Sequence, residues 1–399
     1  MVSKMFKFAI ACGVTRREFI KGSTCLTAAA PFVFSNVTLA GSEKYRAAII
    51  GDTGHGNYGH EHDLIFNGRE NITVVGVADP DLAGRVKAAA RAHALRQYAD
   101  YREMLDKEKP QLVCVAPRWT EKHHDMALSA LKMGAHVYVE KPFMQTLMEA
   151  DEVLAMAKSS GLKTVVAHQV RLAPNILALK TALDSGLIGE LLEIRAHGKQ
   201  DKRAGGEDLI VLGVHLFDLM RFFAGDAAWC TARILQNGHE ITKADAHPAT
   251  ENIGPVAGDE IDAEFSFAKG VHGTFTSRGR NRDAAGPWGL EVIGTKAVVR
   301  IEMDMIPKIL TRKNGSDESV PWKDDPTRNY SEAQRNFTHA NERVVDDWLD
   351  AIERKREPIC SGYAGMKALE MAMAVFEAGL SKGRVELPLK KREHPPRGG

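Results

Sequence analysis

The residues with the clearest chemical potential are Glu140, Lys141 and Pro142, which follow the apolar run Val137–Val139. The run predicts a buried parallel strand, and open α/β sheets bind ligands at the carboxyl ends of such strands. Pro142 ends the ladder pairing and fixes the direction in which the chain leaves the strand. We therefore expect the Lys141 ammonium to point into a cleft where it meets both a cofactor and a substrate. The alternative is a solvated lysine at a strand end.

A glycine-dense turn, residues 51–59, follows the first predicted strand. We expect it to open a helix, whose N-terminus and glycines let the backbone approach a pyrophosphate. Counted from Gly51, the second glycine of the usual spacing is replaced by Thr53, whereas a frame from Gly54 restores the spacing. The candidate cofactor residues in this turn are Gly51, Thr53, Gly54 and Gly56. A flexible loop is the alternative.

Asp79 stands at the end of the second predicted strand, 28 residues after Gly51. A carboxylate there can accept both ribose hydroxyls of an adenosine, while its charge repels a 2′-phosphate. The sequence therefore favours NAD over NADP as the cofactor. Asp79 followed by Pro80 also suits a simple turn, which is the structural alternative.

The hydrophobic pattern differs between two parts of the chain. From Tyr45, short β-branched runs alternate with helical patterns, which predicts a Rossmann domain with a doubly wound parallel sheet over residues 44–168. Beyond Arg171, longer runs of period two predict an α+β domain with a large, mostly antiparallel open sheet over residues 169–389. Apolar spacing predicts helices at residues 82–94, 124–133, 147–159, 209–224, 333–355 and 363–380. The charged tail, residues 390–399, is expected to be disordered.

Composition excludes some classes of partner. The 399 residues are 44% hydrophobic and 26% charged, with a formal net charge of +1, so no broad field for nucleic acid or an anionic membrane exists. The cysteines beyond residue 40 have no paired spacing, which predicts neither disulfides nor a metal site. We expect no nucleic-acid partner and no stable membrane insertion.

The first forty residues carry a targeting pattern. Arg16 and Arg17 precede a mildly apolar run, residues 25–37, which Pro31 interrupts and which is too short to span a membrane. This arrangement predicts a twin-arginine signal peptide over residues 1–40, and hence a periplasmic protein. An accidental arginine pair before a disordered leader is the alternative.

Several motifs together resemble the glucose-fructose oxidoreductase and inositol dehydrogenase (Gfo/Idh/MocA) family. The resemblance covers most of residues 46–385, and the Glu-Lys-Pro segment in this context is its most specific part. Its carriers are the glycine turn, Val77-Ala78-Asp79, Ala116-Pro117 with His123, Val139-Glu140-Lys141-Pro142, Arg171-Leu172-Ala173-Pro174, Ser185-Gly186-Leu187-Ile188-Gly189-Glu190 and Gly213-Val214-His215-Leu216-Phe217-Asp218.

The resemblance implies roles for particular residues. His215 matches the family's acid/base, which exchanges the substrate hydroxyl proton, and Lys141 matches the lysine that orients or polarises the same oxygen. A satisfied core histidine is the alternative for His215. The remaining matched candidates are Pro117, His123 and Glu140 for the cofactor and Arg171 for the substrate, whereas Arg203 is a substrate candidate only because its guanidinium could bind a carboxylate.

One position departs from the family pattern. Family dehydrogenases usually carry an aspartate one helical turn before the histidine, and here that position is Val211. Glu207 or Asp208 could replace it, or could simply be loop and capping residues. Basic residues nearby could bind a sugar carboxylate or be solvated loop charges. They are Lys199, Lys202, Arg203, Arg278, Arg280 and Arg282.

Three functions are open at this point. The first is an exported NAD-dependent oxidoreductase that acts on a sugar or cyclic polyol hydroxyl and keeps its cofactor tightly bound. The second is an NAD-dependent glycosidase or lyase that works by transient oxidation and elimination, which suits a compartment without free NAD. The third is a non-catalytic sugar-binding protein. The second-domain sheet offers a face for a homo-oligomer.

Overall fold

The alternating strands and helices of the first half build a six-stranded parallel sheet. The computed structural model describes residues 45–279 and 287–396, so the predicted signal peptide, Arg280 and Arg282 lie outside the described residues. The strand order is β3-β2-β1-β4-β5-β6, that of a doubly wound Rossmann sheet, which confirms the predicted fold class. The strands are β1 (Tyr45–Ile50), β2 (Ile72–Ala78), β3 (Gln97–Tyr98), β4 (Leu112–Val115), β5 (His136–Val139) and β6 (Thr164–Val166).

Helices α1 (Leu82–Arg91), α2 (Tyr101–Glu108), α3 (His123–Lys132) and α4 (Leu147–Ser160) connect these strands. Side chains of Asp81, Asp100 and Thr146 cap α1, α2 and α4 by accepting a bond from a backbone N–H of the first turn. Helix α2 is absent from the predicted set because its short sequence is dominated by charged residues.

The first crossover, from β1 to β2, differs from the prediction. Turns fill residues 51–71, with one short 3₁₀ helix at His62–Leu64 and no α-helix. The reason is local, since Gly54, Gly56, Asn57 and Gly59 all have positive φ, which breaks a right-handed helix. The expected helix N-terminus for a pyrophosphate is therefore missing.

The second half forms a large mixed sheet around two central strands. Its order is β17-β16-β15-β14-β7-β13-β12-β8-β18, with β9 on β8. Among the described strands of this sheet only β7 and β13 pair in parallel, in agreement with the mostly antiparallel prediction. The strands are β7 (Leu191–His197), β8 (Ala227–Gln236), β9 (His239–Glu240), β12 (Glu260–Phe267), β13 (His272–Arg278), β14 (Gly289–Gly294), β15 (Ala297–Glu302), β16 (Lys308–Lys313), β17 (Val320–Pro321) and β18 (Val385–Glu386), and a separate pair is β10 (His247–Pro248) with β11 (Pro255–Val256).

Helices of this half pack against both sheets. They are α5 (Pro174–Asp184), α6 (Gly206–Val211), α7 (Gly213–Ala224), α8 (Phe337–Glu353) and α9 (Gly362–Ser381). Helix α9 packs on α7 and β8 as well as on α4 and β6, and Trp348 of α8 is buried beside Tyr138 of β5. The helix predicted over residues 209–224 is broken at Leu212. Within the two described ranges, no helix is both long and apolar enough to span a bilayer.

The charged tail is ordered as far as Pro396, contrary to the prediction. Arg392 pairs with Asp151 at 2.6 Å and with the buried Glu370 at 2.5 Å, and its carbonyl accepts from the Met148 N–H at 3.0 Å. Its charges therefore meet fixed carboxylates rather than water, which composition alone cannot reveal.

Gly59 is one position in the first crossover that does not tolerate a side chain. Its φ is +55°, and a Cβ would lie 2.5 Å from Oε2 of Glu140 and 2.6 Å from the carbonyl oxygen of Ala116. We predict that Gly59→Ala lowers the free energy of unfolding by roughly 3 kcal/mol or more, as strain and a clash with a buried carboxylate add. Denaturant titration measures this.

Gly68→Ala is the matched control, because Gly68 has φ +74° and open space within 4 Å of its Cβ position. The free energy of unfolding of this variant should fall only by the cost of a left-handed backbone conformation at alanine, roughly 1–2 kcal/mol. Equal losses in the two variants would mean that the approach of Gly59 to Glu140 is unimportant.

Candidate active site

Lys141 lies in the position that the sequence predicts, at the carboxyl end of β5, but it is buried. Its side chain is 4% exposed, and Nζ donates to the carbonyl oxygen of Val211 at 3.2 Å. Burial lowers the pKa of Lys141, and the neighbouring carboxylate of Glu140 opposes that shift. This hydrogen bond connects the end of β5 to the C-terminal end of α6. Lys141 therefore contacts both halves of the described chain.

Glu140 is fully buried and holds the glycine loop in place. Its Oε2 lies 3.0 Å from Nδ1 of His60 and 3.1 Å from Nδ1 of His62, and its Oε1 accepts the N–H of Lys141 at 2.9 Å. Burial alone would raise the pKa of Glu140, but His60, His62 and Lys141 bring it well below its usual range. Glu140 is therefore a positioning residue here, rather than the cofactor contact that the resemblance implies.

His60 and His62 are site residues that the sequence reasoning missed. Burial lowers the pKa of His62 to about 4. His60 is partly exposed and stacks on Phe337 at 4.7 Å, and its charge bears on both Glu140 and His215. The available signal was the His-x-His spacing directly after Gly59, which is uninformative without knowing that the loop turns back to β5.

His215 lies in the first turn of α7, just past the break at Leu212. The side chain is 7% exposed, and Nδ1 has no hydrogen-bond partner among the described residues. Its ring lies 6.2 Å from that of Trp288 and 5.5 Å from that of His168. Burial, together with the charge of Lys141, lowers the pKa of His215 well below its usual value. The imidazole is therefore neutral near pH 7 and able to accept a proton.

Arg171 is used inside the protein rather than for a substrate, contrary to its predicted role. Its guanidinium binds Asp218 through Nε at 2.8 Å and Nη2 at 2.6 Å, and Nη2 also donates to the Asp218 carbonyl at 2.7 Å. Asp218 in turn lies 3.2 Å from Nδ1 of His168. The pKa of Asp218, which burial alone would raise, is held well below its usual range by Arg171 and His168.

Neither candidate for the missing aspartate reaches the site. Glu207 accepts from the N–H and hydroxyl of Thr250. Asp208 is buried and accepts from the Ser277 hydroxyl at 2.6 Å and the Gln200 N–H at 3.0 Å. Both are therefore structural, and position 211 contributes only its backbone carbonyl to Lys141.

Two of the predicted basic residues, Arg203 and Arg278, are paired with carboxylates of the protein. Arg203 lies close enough to Lys141 to affect its pKa, but its guanidinium is paired with Asp201 at 2.7 Å and Glu251 at 3.2 Å. Arg278 pairs with Asp262 at 2.5 Å. These pairs correct the prediction that Arg203 binds substrate. Lys199 lies 5.9 Å from the Trp288 ring, next to His215.

A groove of about 180 Å³ at the carboxyl ends of β1 and β2 suits an adenosine. Its lining includes Gly51, Asp79, Tyr101 and Lys122. Asp79 is buried, and its carboxylate already accepts from the Thr53 N–H at 3.1 and 3.2 Å, from Thr53 Oγ1 at 2.7 Å and from the Asp81 N–H at 2.9 Å, so ribose hydroxyls would have to displace some of these bonds. A larger groove of about 410 Å³, between the glycine loop and α1, has none of Lys141, Glu140 and His215 in its lining.

The glycines of this turn differ in how much space surrounds them. A Cβ on Gly56 would strike the backbone of Arg118 and Trp119, whereas one on Gly54 would meet no atom within 4 Å. Gly54 thus leaves space beside the groove, and the residues present fit a dinucleotide bound by backbone and carboxylate without a helix dipole. His123 is fully buried and bonds to the carbonyls of Pro117 and Phe143, so it joins loops instead of touching a cofactor. No group in the described ranges has the arrangement of a metal site.

Comparison with known proteins gives matches along most of the chain. A family model described as an oxidoreductase family with an NAD-binding Rossmann fold matches residues 45–168, and one for the C-terminal α/β domain of an oxidoreductase family matches residues 180–387. D-apiose dehydrogenase of Paraburkholderia graminis is 23% identical over 369 residues, which cover 88% of this chain and 92% of that protein.

Two further relatives extend the comparison. Dehydrogenase aclE of Aspergillus oryzae is 30% identical over 208 residues, 46% of this chain, and the match spans about half of that protein's length, 56%. A solved structure of levoglucosan dehydrogenase in complex with NADH and L-sorbose superposes with a TM-score of 0.71 at 19% identity, covering 87% of this chain and 100% of that chain. With both domains matched and the Rossmann fold in place, the chain belongs to the Gfo/Idh/MocA family of oxidoreductases.

Proposed function

We propose that this protein is an NAD-dependent oxidoreductase that oxidises a hydroxyl group of a sugar or cyclic polyol. The observation that carries the proposal is that Lys141 and His215 are both buried in the same region of the fold. Lys141 Nζ donates to the carbonyl oxygen of Val211, which precedes His215 on the adjoining helix. The names of two relatives, D-apiose dehydrogenase and levoglucosan dehydrogenase, support a carbohydrate substrate.

The two side chains have complementary tasks in such an oxidation. His215, neutral because of its lowered pKa, accepts the proton of the substrate hydroxyl. The ammonium of Lys141 stabilises the negative charge that develops on the same oxygen, and its low-dielectric surroundings strengthen that effect. The bound nicotinamide supplies the hydride acceptor.

NAD is the favoured form of the cofactor. Asp79 lies buried at the floor of the adenosine groove, where a 2′-phosphate would meet its charge. Gly51 lines the same groove, and Lys122 on the groove wall offers a positive charge, shared with Asp52 at 2.7 Å.

A redox-neutral reaction is the second candidate. The observation that favours it is the absence of a side-chain carboxylate at Val211, where only the backbone carbonyl faces Lys141. In that case transient oxidation of the sugar permits elimination of a glycosidic group, and the hydride then returns. The two candidates differ in their outcome, because only net oxidation accumulates reduced cofactor. Chromatography of the products, together with the absorbance of reduced nicotinamide, distinguishes them.

We also propose that the protein works as a homo-oligomer in the periplasm. The predicted twin-arginine signal at Arg16 and Arg17 supports export after folding. The open face of the second sheet supports self-association, since a shallow depression of about 460 Å³ crosses it between Arg233, Glu264 and Thr276. A monomeric mass by light scattering would contradict the oligomer.

We predict that Lys141→Ala and His215→Ala each lower turnover of the sugar substrate by roughly two to four orders of magnitude. Both should still bind NAD, because the adenosine groove lies at β1 and β2. The measurement is steady-state kinetics on a panel of sugars and polyols, with NAD affinity from calorimetry.

Lys132→Ala and His239→Ala are the controls, because both side chains are exposed and lie at the end of α3 and on β9, outside the candidate site. They should retain the parent's activity. If the Lys141 and His215 variants stay within about threefold of the controls, neither residue takes part in the reaction.

We predict that protein isolated from the periplasm contains close to one NAD per chain after gel filtration. A folded, exported enzyme has no outside supply, so retention requires slow release and a dissociation constant of roughly nanomolar or below. Acid-released nucleotide, quantified by chromatography, measures this.

The matched variant is Arg16→Lys with Arg17→Lys, which should keep the protein in the cytoplasm while leaving its NAD content unchanged. Parent protein found only in the cytoplasm would contradict export. Cofactor-free periplasmic protein that is fully active without added nucleotide would contradict the redox reaction itself.

A further inference from the structure

A second histidine, His168, lies beside the proposed acid/base and has no part in the mechanism so far. It follows β6 directly and is 2% exposed, and its ring lies 5.5 Å from that of His215 at an angle of 55°. Nε2 of His168 is buried and has no hydrogen-bond partner among the described residues, and the same is true of Nδ1 of His215. Each of the two neighbouring imidazoles thus has one buried ring nitrogen without a hydrogen bond. Such buried unpaired polar atoms are rare in folded proteins and call for an explanation.

The other nitrogen of His168 is held firmly. Nδ1 lies 3.2 Å from Asp218, whose carboxylate is clamped by Arg171 at 2.6 and 2.8 Å. Arg171 is itself fixed by its bond to the Ile359 carbonyl at 3.3 Å and by the ring of Phe222 at 5.1 Å. A carboxylate in this position keeps the proton of the neutral ring on Nδ1, which leaves the lone pair on Nε2.

The two rings face different charges. Burial lowers the pKa of His215 and the ammonium of Lys141 lowers it further, while Glu140 opposes them. His168 instead faces the carboxylate of Asp218 at 3.2 Å. A cation on the His168 ring therefore lies against a carboxylate, whereas a cation on the His215 ring would lie near the Lys141 ammonium.

We propose that His168, held by Asp218 and Arg171, is a positioning residue that receives the substrate proton from His215 and so replaces the carboxylate absent at position 211. This rests on the proposed oxidation of a hydroxyl. The substrate O–H bond breaks and its proton goes to the other ring nitrogen of His215, while the Nδ1 proton of His215 passes through one bridging water to Nε2 of His168. The C–H electron pair leaves as the hydride of that oxidation, His215 is neutral again, and His168 is a cation facing Asp218.

The first test needs no substrate. In protein labelled with ¹⁵N in its histidines, imidazole spectra near neutral pH should show His168 in the Nδ1–H tautomer, identified by the signal that His168→Gln removes. In Asp218→Asn the ring should populate both tautomers, because the carboxylate no longer selects one. A parent His168 with its proton on Nε2 would overturn the proposal, since such a ring cannot accept from His215.

The second test uses turnover. His168→Gln keeps a polar side chain of similar reach but cannot carry the proton onward, so kcat should fall by roughly 10- to 1,000-fold with KM within about threefold. The solvent deuterium dependence of kcat should be curved in the parent, from two protons in flight, and linear in the variant. His239→Gln, at an exposed position, should behave like the parent in both respects.

The outcomes separate this proposal from the proposed function. A predicted tautomer with no turnover by the parent on any sugar or polyol removes the oxidation and, with it, the relay. Normal turnover by the parent with an unchanged kcat in His168→Gln removes the relay alone. A raised KM at constant kcat, or a lower melting temperature that explains the lost activity, would show that His168 only packs beside His215.

Discussion

The buried carboxylate of Glu140 is the constraint on which the site depends. An ionised carboxylate without exposure costs several kcal/mol unless charges and hydrogen bonds compensate it. Three groups surround it here: His60 and the backbone N–H of Lys141, which hydrogen-bond to it, and the ring of His62, whose Nδ1 lies 3.1 Å away. Two of the three come from the first crossover, so the crossover must run past β5. A regular helix after β1 would carry its side chains elsewhere, and the turns with positive φ follow from this demand.

Helix α8 secures the same arrangement from the other half of the chain. Asn341 is fully buried; it donates to the His60 carbonyl at 2.8 Å and accepts from Gln169 at 2.7 Å and from the Tyr138 hydroxyl at 3.2 Å. One amide thus ties the crossover, β5 and the segment after β6 together. Since that segment also carries His168, a single buried network aligns the residues around both Lys141 and His215.

Much of this could be predicted from the sequence, for identifiable reasons. The two sheets follow from local periodicity, and Lys141 is marked by a strand that ends in Glu-Lys-Pro. His60, His62 and His168 have no such local mark. Their importance arises from contacts across 76 to 80 residues or between separate elements, as with His60 and Glu140 or His168 and Asp218. A sequence pattern names a residue type, whereas these roles depend on which carboxylate the fold brings to it.

The same reasoning explains why the arginines were misjudged. A guanidinium in a loop looks available to a ligand until its carboxylate partners are known, and Arg171 and Arg203 both have theirs within the protein. The positive charge left near the site comes from Lys141, from Arg118, whose charge lowers the pKa of Lys141 and whose buried Nε has no hydrogen-bond partner among the described residues, and from Lys199, which lies 3.9 Å from Asp201. Trp288 supplies an aromatic edge next to His215. An aromatic ring, a buried ammonium and a neutral imidazole suit a hydroxyl-rich ring, whereas a sugar acid would depend on the fork of Arg118, since Arg171 and Arg203 are already paired.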